Sequence, residues 1–504
     1  MPLPVLTVAR MRAWEKATWA AGVREADVIA RVGQRVAERV RQWLPEGARV
    51  LLLSGLGNNG NDVRAARLHL GDYQADQLDV TSPSEAQSEL VRLLALRPAL
   101  VVDGLFGIGL NRPLSPEWRQ LIETVNASGL PVLAVDVPSG LDADTGGHFG
   151  AVVQATVTLT MGVPKRGLIQ EAATDCVGRL EVATEVGLLP DPDRVVGEQT
   201  GLRCKDRWKF RQAWTVAADF EGFPPRRRVD SHKGTYGHLV LIAGSLGYHG
   251  AAVLAAKAAG SARPGLVTVF TSPAAYPAVA AQLAFAMVRP WNEPIELPAK
   301  TSAVLIGPGL AGSDVPDVLR AQTLKWWREL RLPLVLDASA LDWMAVEHRV
   351  WWDGMTNGDL TAEAPIRGDH TWHHHVAPRV ITPHPGEAAR WFSGDLMGVG
   401  DRSGIVEQLG GVAGIAVLKG HQTLVRGADE PTFINSTGNP GLAQGGTGDV
   451  LAGFLGGLLA QPAWQRDPML TCRYAVWEHG AAADRLEAIR RNWTAEDLAA
   501  EIGR

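Results

Sequence analysis

The chain is predicted to form two α/β domains in tandem, each a parallel sheet covered by helices on both faces. Three observations lead there. Short apolar runs recur along the sequence, several closing on aspartate or running into glycine-bearing loops, with helix-patterned stretches between them. Runs that are apolar throughout belong to strands buried on both faces. The series restarts after Phe220-Glu-Gly-Phe-Pro-Pro-Arg-Arg-Arg228, which has the proline, glycine and charge of a linker. A length of 504 residues is enough for two such cores. The expected division is residues 1–215, a linker at 216–230, and residues 231–504.

In the first series, Val50-Leu-Leu-Leu-Ser54 runs into a glycine–asparagine loop and then a helical pattern near Val63–Leu70. Ala99-Leu-Val-Val-Asp103 and Pro131-Val-Leu-Ala-Val-Asp136 follow, each closing on an aspartate. The second series reads His238–Ala243, Gly265–Phe270, Ser302–Ile306, Pro333–Asp337, Arg379–Thr382 and Gly414–Leu418. Residues 344–378, polar and rich in tryptophan and histidine without periodicity, read as a surface insertion. Adjacent histidines such as His373-His374-His375 within it rarely close a metal site. No internal repeat relates the two halves.

Composition excludes several classes. A net charge of -5 argues against general nucleic-acid binding. Cys176, Cys204 and Cys472 lie far apart without metal-ligand spacing, which fits a reducing compartment. The amino terminus lacks a basic-then-apolar signal pattern, and no apolar run reaches membrane-spanning length. A soluble, cytoplasmic protein without a membrane partner is expected.

Ligands of parallel sheets bind outside the carboxyl ends of the strands, so the loops there carry the chemistry. Ser54-Gly-Leu-Gly-Asn-Asn-Gly-Asn-Asp62 sits between strand and helix but lacks the G-x-G-x-x-G spacing of a dinucleotide loop. Its Asn58, Asn59 and Asp62 offer oxygens and donors suited to a hydroxylated ligand or a hard cation. Asp103 opens the glycine-bearing loop that runs to Pro113, and Asp136 stands three residues before Ser139. In the second half, Gly445–Gly448 directly precede Asp449 and the apolar run Val450–Leu459. Glycines let backbone amides approach an anion, and a helix start adds the positive end of its dipole. A carboxylate there stands beside phosphate, placed to take a proton from an attacking hydroxyl. Lys419, before a glycine at a strand end, suits phosphate as a point charge. His384, between two prolines, is held on a stiff turn.

The first-half loops Asn58-Asn-Gly-Asn-Asp62, Asp103-Gly-Leu-Phe-Gly-Ile-Gly-Leu110 and Asp136-Val-Pro-Ser-Gly-Leu-Asp142 resemble the epimerase domain of the NAD(P)H-hydrate repair enzymes over most of residues 1–215. The resemblance implies a Rossmann-like three-layer domain with potassium held by Asn59, Asp103 and Ser139. It implies substrate contacts from Asn58, Asn59, Gly60, Asn61 and Asp62, from Gly107, Ile108, Gly109, Leu110, Asn111, Arg112 and Pro113, and from Asp136. Asp136 is then the acid/base that interconverts the C6 epimers of the hydrated nicotinamide. Asn61 and Val63 stand where the family loop has glycines. Valine tolerates positive φ poorly, so an altered loop with a weakened or lost epimerase is the alternative they raise.

In the second half, His232-Lys-Gly-Thr-Tyr-Gly237, Gly307-Pro-Gly309, Thr382-Pro-His-Pro-Gly-Glu387 and Gly445-Gly-Thr-Gly-Asp449 resemble a ribokinase-like ADP- or ATP-dependent NAD(P)H-hydrate dehydratase across nearly all of residues 225–490. By that resemblance Lys419, Gly420, His421, Gln422 and Thr423, with Gly445, Gly446, Thr447 and Gly448, bind the adenine nucleotide. Ala251, Gly309, His384 and Asp449 contact the hydrated dinucleotide, and Asp449 is the catalytic base. The fusion resembles the ADP users, so ADP with Mg2+ is the expected phosphoryl donor and a homo-oligomer the expected state. Two other readings compete: a small-molecule kinase with a stable phosphorylated product, and a first domain that only binds or assembles.

Overall fold

The computed structural model describes residues 2–190, 210–291, 294–356, 377–392 and 402–504. It falls into two compact units, Leu3–Trp214 and Thr215–Arg504, the latter together with Met1–Pro2. Residues 344–356 continue the helix Ser339–Thr356. Residues 357–376, with His373-His374-His375, lie outside the described residues.

The first unit holds a six-stranded parallel sheet in the spatial order Gln74–Asp79, Arg49–Ser54, Leu100–Gly104, Val132–Val135, Val157–Met161, Arg179–Ala183. Successive strand side chains point to opposite faces, and burial follows that rule. Val50 and Leu52 join one apolar cluster with the helices Glu25–Trp43 and Asn58–Arg67. Leu51 and Leu53 join another with Pro83–Ala95 and Pro116–Ala127. In Glu25–Trp43 the buried Val28, Val32, Val36 and Val40 recur every four residues and make the stripe that faces the sheet. The edge strands, Gln-Ala-Asp-Gln-Leu-Asp79 and Arg-Leu-Glu-Val-Ala183, are the polar ones. Leu3–Pro4 pairs antiparallel with Gln212–Trp214 and joins the two ends of this unit.

The second unit's strands lie in the order Thr432–Ile434, Leu424–Gly427, Ile415–Leu418, Arg379–Ile381, Leu334–Leu336, Ala303–Ile306, His238–Ile242, Leu266–Thr271, Met287–Pro290. Pairing is parallel from Ile415–Leu418 to Met287–Pro290. The strands at the other end are joined by antiparallel pairing. The almost wholly buried helix Thr447–Leu459 crosses His249–Ser261 at small residues. A Cβ on Gly453 would overlap the Ala255 carbonyl, and one on Gly457 would lie 2.6 Å from that of Ala259. Among the described residues no helix is long and apolar enough to cross a membrane.

Both sheets reverse direction beside their first long strand. In the first unit the chain builds outward from Arg49–Ser54 to Gln74–Asp79, then returns to Leu100–Gly104 on the other side. The second unit does the same around His238–Ile242, with Ala303–Ile306 on the return. Adjacent loops diverge at such a switch point and leave a crevice for a ligand. Residues 55–62 and 105–113 flank it in the first unit, and residues 243–251 and 307–309 flank it in the second.

Candidate active sites

A cavity of about 820 Å3 opens at the first switch point. Asn58, Asn59, Asp62, the whole run Gly107–Pro113 and Asp136 line it, as do Arg12, Glu15, Trp19 and Trp118. Gly60 and Asn61 do not. Gly60 lies against Gly55, whose carbonyl a Cβ would overlap, and the Asn61 side chain accepts from Arg64 Nη1 at 2.9 Å. The expected distortion at Asn61 and Val63 is corrected by the structure. Both residues belong to the helix Asn58–Arg67 and neither has positive φ. Val63 is fully buried, and its Cγ2 fills the space that a Cβ on Gly104 would need.

Asn59, Asp103 and Ser139 come together beneath this cavity, all buried. Ser139 donates to the Asp103 carboxylate through Oγ (2.7 Å) and its backbone N–H (2.9 Å). Ser139 Oγ accepts from Phe106 N–H at 2.8 Å, and Asn59 Nδ2 donates to Phe106 O at 2.7 Å. Asn59 Oδ1 is buried without a hydrogen-bond partner. Burial outweighs the hydrogen bonds at Asp103 and raises its carboxyl.

Asp136 follows its strand with φ at +67°, a left-handed conformation that aspartate accepts better than most residues. Its Oδ1 accepts from Lys165 Nζ at 2.5 Å. Lys165 is fully buried and also donates to Thr160 Oγ1 and Met161 O, both at 2.9 Å, so all three of its protons are used. The sequence reading missed this lysine. It stands just past the strand Val157–Met161 in Gly162-Val-Pro-Lys165, a strand-end signal like those that marked the other loops. Two further carboxyls share the cavity. Burial, then the charge of Asp136, pushes Glu15 up to about 6 and Asp62 well above the usual range.

In the second unit, Gly446 takes φ +94° just before the helix Thr447–Leu459, a conformation glycine adopts without strain. Thr447 Oγ1 donates to Leu442 O (2.9 Å) and Gln444 O (3.1 Å), tightening the turn. First-turn amides of a helix have no intrahelical acceptor and remain available to an anion. Asp449 lies in that turn, pushed up to about 7 by burial and then by Asp337, with Lys419 opposing.

Lys419 is bound more tightly than a surface phosphate ligand. Its Nζ donates to buried Asp337 Oδ1 at 2.8 Å and lies 3.7 Å from Glu387 Oε2. Burial draws the ammonium down, and Asp337, Glu387 and Asp449 more than reverse this, raising it. A Cβ on Gly448 would lie 3.3 Å from Nζ, so glycine there keeps the helix start close to the charge. The rest of Lys419–Thr423 is the turn between Ile415–Leu418 and Leu424–Gly427. It needs positive φ at Gly420 and Gln422, and Thr423 Oγ1 donates to Gly420 O at 3.0 Å. Burial, then Arg402, lowers His421.

His384 caps the short helix Pro385–Ala389, Nδ1 accepting from Gly386 N–H at 3.0 Å, and its side chain stays half exposed. Gly309, at φ +66°, approaches Ala251 so closely that a Cβ would lie 3.0 Å from the alanine methyl. Those two residues therefore share the crevice floor at the second switch point.

Two α/β units, each with a carboxylate among loops beyond the carboxyl ends of its strands, define a two-site enzyme acting on small molecules. The family model for NAD(P)H-hydrate dehydratase matches residues 239–504, and that of the YjeF-related protein N-terminus matches residues 64–167. A bifunctional NAD(P)H-hydrate repair enzyme of Coxiella burnetii is 32% identical, covering 97% of this chain and 96% of its own. Those of Gloeobacter violaceus (34%; 95% and 93%) and Escherichia coli (32%; 92% and 85%) are similar. The chain belongs to the bifunctional NAD(P)H-hydrate repair enzymes. Among solved structures, the ADP/ATP-dependent NAD(P)H-hydrate dehydratase of Bacillus subtilis, crystallised with ATP and Mg2+, is 29% identical with a TM-score of 0.43, covering 55% of this chain and 91% of its own.

Proposed function

We propose that this chain repairs hydrated NADH and NADPH: the first unit equilibrates the R and S hydrates, and the second dehydrates the S hydrate at the expense of ADP. The observation that carries the reading is Asp449, a carboxyl poised near neutrality in the first turn of a helix beside an ion-paired lysine. A general base works best with its pKa near the operating pH. Asp449 takes the proton of the C6 hydroxyl as that oxygen bonds to the terminal phosphorus of ADP, and AMP leaves. The ring nitrogen then expels phosphate, a far better leaving group than hydroxide. Loss of the C5 proton restores the dihydropyridine. First-turn amides and Lys419 face the charge that develops on the transferred group. Glu387 offers the hard oxygen that suits Mg2+, which commonly binds through one or two carboxylates plus phosphates. When bound, Mg2+ supplies positive charge at the transferring phosphoryl.

In the first unit, Asp136 is the acid/base for the C6 epimers. Lys165 holds Oδ1, and Oδ2 lies toward Gly107, 3.5 Å from where a Cβ there would stand. Asn59, Asp103 and Ser139 fit a potassium ion, because the buried Asn59 Oδ1 needs a positive partner and the carboxylate beneath it is buried too. When bound, the ion would supply fixed positive charge at that site. The helical placement of Asn61 and Val63 supports a working epimerase. A cytoplasmic location and a homo-oligomeric state are part of the same proposal, the former to be read by cell fractionation and the latter by light scattering.

The deciding experiment mixes the full chain, Mg2+ and purified S-NADH hydrate with ADP or ATP and follows recovery of the reduced-nicotinamide absorbance. ADP-dependent recovery with AMP and phosphate as products is expected. No recovery with either nucleotide would reject the dehydratase, and a stable phosphorylated product would leave a kinase.

A further inference from the structure

The glycine loop is not held by its own hydrogen bonds alone. Thr437–Thr447 is fastened to the helix Pro468–Ile489 at both of its ends. At the first end, Thr437 Oγ1 donates to Trp477 O at 2.7 Å, and Asp484 accepts from Gly438 N–H and from Asn439 Nδ2, both at 3.1 Å. Gly480 makes this approach possible, because a Cβ there would overlap Thr437. Trp477, Gly480 and Asp484 lie at spacings of three and four, on one face of the helix. At the other end His479, buried on that helix, meets Thr447 O with Nε2 at 2.9 Å. A carbonyl only accepts, so Nε2 carries the proton and the ring is held in that tautomer. Between these fastenings, Asn439 Oδ1 accepts from Gly441 N–H at 2.9 Å and Gln444 Nε2 donates to Gly441 O at 2.7 Å.

We propose that the helix Pro468–Ile489 is the template that holds the anion loop of the second site in its working shape, with His479 and Asp484 as positioning residues for phosphoryl transfer. The inference rests on the dehydratase reading above. Donors aimed at a developing charge help only if they are in place before the charge forms. Glycine-rich backbone has many other conformations available, so some rigid element must select one. His479 fixes the carbonyl of Thr447, the first residue of the helix whose opening amides face the phosphoryl group. Burial pushes its imidazole down to about 4, so it stays a neutral donor throughout the working pH range.

The test uses the full chain carrying His479→Gln, His479→Leu or Asp484→Ala, with kcat, KM for ADP, calorimetric ADP affinity and Tm measured for each. In H479L, kcat is expected to fall roughly ten- to a hundredfold, less than the loss on removing an anion-hole donor itself. ADP affinity should change by less than about threefold, because the interaction is realised chiefly in the transition state. H479Q, whose amide N–H can reach the same carbonyl, should recover most of the rate, which a role in packing alone would not produce. Wild-type kcat in H479L, or equal losses in H479L and H479Q, overturns the proposal. If H479L does not fold, D484A carries the test: a kcat loss with ADP affinity retained supports the template, and an unchanged kcat overturns it. A wild-type chain without dehydration would sink the reaction itself, whereas an active wild type with indifferent variants sinks only the template.

Discussion

Asp449 shows what burial does to one carboxyl. With its pKa near 7, it is half protonated at neutrality, so dehydration should slow as pH falls through that value and the base fills with protons. Asp449→Asn should reduce kcat by roughly a hundred- to ten-thousandfold while calorimetry shows ADP binding nearly intact. Stability should move the other way. A carboxyl whose folded pKa is raised above its unfolded value binds protons more tightly when folded, so it destabilises the fold increasingly as pH rises from about 4 to about 7. The Tm gain of D449N over wild type should therefore be larger at pH 8 than at pH 4.5, and equal gains at both would show that the aspartate carries no such burden. Lys165 presents the opposite case, since removing it strands Asp136. Lys165→Met should lower the first unit's stability by about 3 kcal/mol or more, read by urea unfolding, and abolish epimerisation.

Among the elements, the helix Asn58–Arg67 shows how the chain accommodates Asn61 and Val63. The family loop's glycines suggested a strained turn, yet the segment is helical, and helix imposes no positive φ. What the helix does require is room beside the sheet, and Gly104 supplies it. Gly104→Ala should destabilise the first unit by about 1–3 kcal/mol, and Val63→Ala in the same chain should recover part of that loss. Strict additivity of the two changes in denaturant titrations would show that they do not share one space. The central strands were legible because they are apolar throughout. Gln74–Asp79 and Arg179–Ala183 were not, since an edge strand is half exposed and its residues read like a loop. Val157–Met161, with two buried threonines, also escaped notice. The helix Pro468–Ile489 carried no functional motif in sequence; its importance comes from the loop it touches.

For the whole molecule, the two chemistries should separate cleanly. Asp136→Asn should leave a chain that repairs only the S fraction of a mixed hydrate in its first phase, and D449N a chain that epimerises without repair. Chromatography of the two epimers reads both. Replacing potassium by lithium should slow epimerisation and leave dehydration of pure S hydrate unchanged, a contrast lost if Asn59, Asp103 and Ser139 hold no cation. Two tandem α/β units, the polar loops at their strand ends, and Asp136 and Asp449 as candidates within them could be read from the sequence, the role of Asp136 only through the family resemblance. Those follow from local pattern: apolar runs, glycines and the residue that comes next. Tertiary structure alone decided how each group is set. Lys419 meets Asp337, Lys165 meets Asp136, and His479 meets Thr447 across long stretches of chain. Proton affinity and loop shape depend on such neighbours and on burial, which arise only when the sheets close and distant residues share one low-dielectric space.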